Sequence, residues 1–103
     1  MRVAVIVRPK HQIPPEEMPM VFQAFSAWRE QYRDTMEVFE FFLGGGGFGI
    51  FDVADAEELH RIMLQNPIFF IGDTDVTPIV DGDTALRQWG EAIEQMQQMG
   101  APA

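Results

Sequence analysis

The chain has 103 residues, 47% of them hydrophobic, with a formal charge of −9 and no cysteine. That length and apolar content fit a single folded domain spanning residues 1–103 and exclude a disordered chain. The acidic balance argues against nucleic acid and against an anionic membrane surface, since both attract Lys and Arg. The missing cysteines exclude disulfides and thiol chemistry.

The run Val3 to Val7 is continuously apolar and mostly β-branched, as expected of a strand buried on both faces. It is too short for a secretory core, and Arg8-Pro9-Lys10 follows it in place of a small-residue cleavage site. No segment approaches the roughly 18 apolar residues of a membrane span, so the expected location is the cytoplasm. Pro9, Pro14 and Pro15 punctuate a loop, and Pro15 suits the first turn of a helix. Met18, Val21, Phe22, Phe25, Trp28 and Tyr32 then recur at helical spacing, which predicts an amphipathic helix over residues 16–33.

Residues 35–43 are rich in Phe and β-branched side chains and read as a second strand. Gly44 to Gly47 break it, and residues 48–53 make a third. The glycines are not a phosphate cradle: no helix follows them and no Lys-Ser/Thr closes them. Asp55 followed by Glu58 is a capping pair for a helix over 56–65, which Asn66-Pro67 ends. Residues 74–80 form a fourth strand, where Pro78 demands an edge position or a bulge. Asp83 is the expected cap of a last helix carrying Leu86, Trp89, Ile93 and Met96 on one stripe, with Gly100 to Ala103 as a frayed end.

Right-handed crossovers turn this order into an α+β fold, a ferredoxin-like split-βαβ sheet with an extra C-terminal helix. Helices cover one face of such a sheet. The second strand nevertheless offers Phe39, Phe41 and Leu43 on one side and Met36, Val38 and Phe42 on the other. The third sets Phe51 and Val53 against Phe48 and Ile50. Two apolar faces and one helical layer leave a surface to be covered. A second copy is the simplest cover, which predicts a homodimer or higher homo-oligomer in which facing sheets close a dimeric α+β barrel.

Phe51-Asp-Val53, Glu58-Leu-His60, Leu64, Pro67 and Phe69, followed by an Asp/Val strand, resemble the corresponding run of the muconolactone isomerases. The opening strand, with Lys10 beyond it, is also similar. The resemblance covers about a third of the chain and implies a small dimeric α+β barrel. It implies an isomerase that shifts a double bond in an unsaturated lactone by proton transfer, without a cofactor. That family has polar and ionisable residues, including histidine, around the second hairpin, where this chain has Gly44 to Gly47. The alternatives are a non-catalytic ligand-binding or dimerisation module and a cofactor-free monooxygenase.

Among residues that could carry chemistry, Glu40 shares a strand face with Met36, Val38 and Phe42. A desolvated carboxylate there has a raised pKa suited to a general base. Arg8 ends the first strand, which runs parallel to the second, so it is the expected anion or oxyanion partner of Glu40. His11, Tyr32 and Phe42 complete the candidate substrate-binding set, with a small, partly apolar organic molecule as ligand. His60 reads as a partly exposed helix histidine beside Glu57. No histidine has a metal-ligand neighbour at the right spacing, and Asp73, Asp75, Asp81 and Asp83 do not follow a calcium-loop pattern, so no metal is expected. No dinucleotide or phosphate-loop motif occurs, so no nucleotide cofactor is implied.

Overall fold

The computed structural model describes residues 1–100; of the expected frayed end at 100–103, residues 101–103 lie outside them. The elements are β1 (Arg2–Pro9), α1 (Met18–Gln31), β2 (Met36–Phe41), β3 (Gly47–Asp52), α2 (Ala56–Leu64), β4 (Gly72–Ile79) and α3 (Gly82–Gln98). Short 3-10 turns at Pro15–Glu17, Arg33–Thr35 and Phe69–Ile71 join them. The strands form one antiparallel sheet in the order β2-β3-β1-β4. The β1–α1–β2 and β3–α2–β4 connections each skip one strand, which is the split-βαβ arrangement expected of the chain order.

The local chemistry explains where the elements begin and end. Asp55 accepts the Glu58 N–H at 2.9 Å, and the Glu58 carboxylate accepts the Ala54 N–H at 2.7 Å, so two free donors at the start of α2 are satisfied. Pro67 follows directly after its last turn. Pro78 lies on β4 at the sheet's edge, where a missing N–H costs no ladder bond. The last helix is capped by Asp81, not Asp83: the Asp81 carboxylate accepts the Thr84 N–H at 3.0 Å. Asp83 falls inside the first turn, where an acid still favours the helix dipole.

The core lies between the sheet and the pair α1 and α2. Val3, Val5 and Phe51 come from the sheet, Val53 from just beyond β3, and Trp28, Leu59, Ile62 and Met63 from the helices. The Trp28 indole N–H donates to the Ile62 carbonyl at 2.9 Å, which ties the two helices together while satisfying a buried donor. Met36 joins this core and so corrects the expected faces of β2. Met36 pairs with Phe51 and Val38 with Ile50, so the strand carries an irregularity between them. One extra residue reverses the alternation and moves Met36 to the helix side with Phe39 and Phe41. Leu43 lies beyond the strand and is exposed.

Two apolar surfaces lack a cover in the single chain. The sheet face away from the helices carries Ala4, Ile6, Val38, Phe48 and Ile50, all only partly buried. The second surface is α3, which buries no residue and leaves Leu86, Trp89, Ile93 and Met96 exposed, Trp89 at 64%. No helix of the described residues is long and apolar enough to cross a membrane.

Candidate functional site

Between the sheet and the helices lies a cavity of about 590 Å³, within the range of roughly 300–1,000 Å³ usual for small-molecule sites. Its floor is made by the strand register. Val5 pairs with Gly49, which pairs with Phe39; Val7 pairs with Gly47, which pairs with Phe41. Alternation along β3 puts Gly47, Gly49 and Phe51 on the helix face, so two successive positions there lack a side chain. Phe51 fills its position and is 3% exposed; Gly49 and Gly47 carry no side chain, the Phe51 and Phe41 rings lie close beside them, and the cavity opens next to this bare stretch of floor.

The glycines are also dictated by the hairpin. The Phe42 N–H donates to the Gly46 carbonyl at 2.9 Å, and Gly46 adopts φ 79°. A Cβ on Gly46 would sit 2.3 Å from the Val7 carbonyl oxygen, and one on Gly47 would sit 2.5 Å from that of Glu40. Only glycine fits both places. Backbone crowding thus dictates glycine at the hairpin, and the same residues give the adjoining floor of the cavity no side chain.

Aromatic and aliphatic side chains enclose the space. Phe25 stacks on Phe39 at 5.9 Å and lies tilted against Trp28 at 5.4 Å, and Met63, Ile68 and Ile71 complete the apolar wall. The loop from His11 to Pro15 borders the mouth, and Phe41, 69% exposed, lies there too rather than in the closed core. The polar side chains of the lining belong to His11, Gln12, Glu40 and Asn66; no Lys or Arg contributes. Among the described residues no three His, Cys, Asp or Glu side chains converge as a metal site.

The expected site residues fall into two groups. His11, Glu40 and Phe42 line the cavity, although His11 and Glu40 are both exposed. Glu40 is therefore not the enclosed carboxylate expected from its neighbours. The irregularity takes Met36 to the other face, and nothing in the single chain covers Val38 and Phe48 beside it. Arg8 is outside the lining, with its guanidinium 5.1 Å from the centre of the Phe42 ring, so it borders the same end of the sheet. Tyr32 is away from the cavity: its hydroxyl bonds the Gln65 side chain, joining the ends of α1 and α2. His60 is exposed on α2.

Two features of the site were missed from the sequence. The alternation Gly47-Phe48-Gly49 signals a strand face without side chains, but the four glycines before it make it look like loop. Asn66 looks like a helix stop before Pro67, yet it is buried against the cavity at 5% exposure.

No protein-family model matches the chain, and no curated protein sequence matches it. Among solved structures, muconolactone isomerase superposes with a TM-score of 0.69 at 21% identity, over 79% of this chain and 90% of that one. The 5-chloro-2-hydroxyhydroquinone dehydrochlorinase of Burkholderia phenoliruptrix AC1100, in complex with 2,5-dihydroxybenzoquinone, superposes with a TM-score of 0.65 at 17% identity, over 82% of this chain and 98% of that one. The chain has the muconolactone-isomerase-like α+β fold.

Proposed function

We propose that this protein takes a small, largely apolar cyclic molecule into the cavity above Gly47 and Gly49, and shifts a double bond in it by proton transfer without a cofactor. The observation that carries this reading is the hollow itself. A sheet–helix layer otherwise packed with Phe, Trp, Val and Met keeps a cavity of about 590 Å³ whose floor includes two glycine positions. The similar folds support it, since the two solved structures compared above are named as enzymes of small ring compounds. The chemical class proposed is an unsaturated lactone.

In such a step a base removes a proton from the carbon next to the carbonyl, and the electron pair spreads into the carbonyl oxygen as a dienolate. The proton then returns at the far carbon, so the reaction is balanced without any redox partner. Glu40 is the proposed base, at the edge of the cavity. Arg8, seated on the Phe42 ring that lines the cavity, is the proposed partner for negative charge. His11, at the mouth, is the other titratable side chain of the lining. A β,γ-unsaturated butenolide gives a direct assay, because its conjugated product absorbs in the ultraviolet. Glu40→Gln should lower that turnover by about 10²–10⁴-fold while the protein still folds. Full activity in this variant would remove Glu40 from the mechanism and make His11 the residue to test.

A homodimer is the second part of the proposal. A single helix of 17 residues with an unburied apolar stripe is marginal in water, so the Leu86–Trp89–Ile93–Met96 stripe requires a cover. The uncovered sheet face requires one as well. A second copy supplies both surfaces at once, and would enclose Glu40, which the single chain leaves exposed. Sedimentation at micromolar concentration should show no stable monomer. A clean monomer with α3 intact by circular dichroism would contradict this.

A further inference from the structure

Asn66 is the buried polar residue of the described core, and both its side chain and its backbone are hydrogen-bonded. Its Oδ1 accepts the Ile68 N–H at 2.9 Å, closing a turn across Pro67. Its backbone N–H donates to the Met63 carbonyl at 3.0 Å, and its carbonyl accepts the Phe69 N–H at 3.1 Å. The Oδ1 bond fixes the carboxamide's orientation, because a backbone N–H can only face the oxygen. The Nδ2 group, with two N–H donors, has no protein partner among the described residues. Nor is it sealed in: Thr74 Oγ1 is the fully enclosed side-chain polar atom that lacks a partner. Nδ2 is therefore accessible, and Asn66 belongs to the lining of the cavity.

The surroundings define what could satisfy it. Trp28, Met63, Ile68 and Ile71 are the nearby parts of the lining, and none offers an acceptor side chain stronger than the Met63 thioether. The Trp28 N–H is already taken by the Ile62 carbonyl, so the indole offers only its hydrophobic ring. An accessible amide donor in an apolar wall is free to exchange solvent for a ligand oxygen, so it fixes the orientation of a bound molecule more than it adds affinity. With no Lys or Arg in the lining, the site suits a neutral carbonyl oxygen, or one that gains charge only during reaction, over a phosphate or a second carboxylate.

We propose that Asn66 Nδ2 is the donor that recognises a carbonyl oxygen of the bound molecule, so the ligand class is a ring-sized, otherwise hydrocarbon ketone, lactone or quinone. This inference rests on the cavity being the ligand site, and it adds the residue that orients the ligand there. In a double-bond shift the same donor would face the oxygen on which charge develops, where a fixed dipole acts most strongly.

The test uses two probes of nearly the same shape, acetophenone and α-methylstyrene, which differ by C=O against C=CH₂. Binding of each to the native protein and to Asn66→Asp is measured by calorimetry. The variant keeps an acceptor for the Ile68 N–H but loses both donors. Asn66→Asp should weaken acetophenone at least about fivefold more than α-methylstyrene, the size of one neutral hydrogen bond. In the unmodified protein, the Asn66 side-chain amide signals in a ¹H–¹⁵N spectrum should move with acetophenone and stay with α-methylstyrene, a readout that does not depend on the variant folding. Equal losses for both probes, or an unmoved amide at acetophenone saturation, overturn the role of Asn66 and leave the cavity as a ligand site. Failure of both probes to bind overturns the cavity reading as well.

Discussion

The two ends of β3 differ in one respect that organises the whole molecule. At the Asp52 end, Phe51 fills the space between Val3 and Met36 and packs toward Trp28, with ring centres 6.3 Å apart. At the Gly47 end, the same face of the same strand presents Gly49 and then Gly47, and the helices above stand over a hollow. One end stores the stability and the other leaves room for a guest. Close packing throughout would have required a large side chain at Gly49, where a Cβ would already lie 3.1 Å from the Phe51 ring.

The contrast breaks most visibly at the filled end. Phe51→Ala should cost about 3–5 kcal/mol in denaturant unfolding, the usual cost of deleting a buried aromatic side chain. A loss below about 1 kcal/mol would show that this end is not the packed one. At the hollow end the effects should separate. Val7 lies opposite Gly47 and lines the cavity, so Val7→Phe adds volume where there is space. Its stability should change by less than about 1 kcal/mol, because added apolar burial offsets the lost rotamer freedom. Binding of acetophenone should fall more than about tenfold, the sign of a filled site. A large destabilisation with binding intact would invert the assignment of the two ends.

The smallest effect lies outside both ends. Arg33, 2.6 Å from Glu30, holds the Glu30 carboxyl below its ordinary value, through its hydrogen bond first and its charge second. A depressed carboxylate stabilises the fold above its unfolded pKa, and that contribution is lost as pH falls through the folded value. Both side chains are exposed, so the pair contributes little. Arg33→Gln should return Glu30 toward its ordinary value in an NMR titration, while the neutral-pH unfolding midpoint stays essentially unchanged.

Most of the fold was legible because local chemistry specifies it. Asp55 and Glu58 start α2, Pro67 stops it, and Pro78 sends β4 to an edge, each through a bond a particular residue can or cannot make. The face of Met36 was not legible, since the irregularity that turns it inward depends on its pairing with Phe51. That single reversal also separated Glu40 from the enclosure expected for it. The cap at Asp81 rather than Asp83 was a choice between two acids of equal capping ability. Asn66 was recognisable as a helix stop, but its burial depends on the 3-10 turn that folds Phe69–Ile71 back beneath α2. His11, Glu40 and Phe42 do meet at the cavity, whereas Tyr32 is drawn away by Gln65.

Binding of a ligand in the cavity beside Gly47 and Gly49 is tested most directly by a ¹H–¹⁵N titration with acetophenone. Saturable shifts should centre on Val7, Gly47, Gly49 and the Asn66 side chain, while Val3 and Val53 at the packed end stay in place. Shifts centred on Trp89 and Ile93 of α3, or no saturable shift at all, would contradict it.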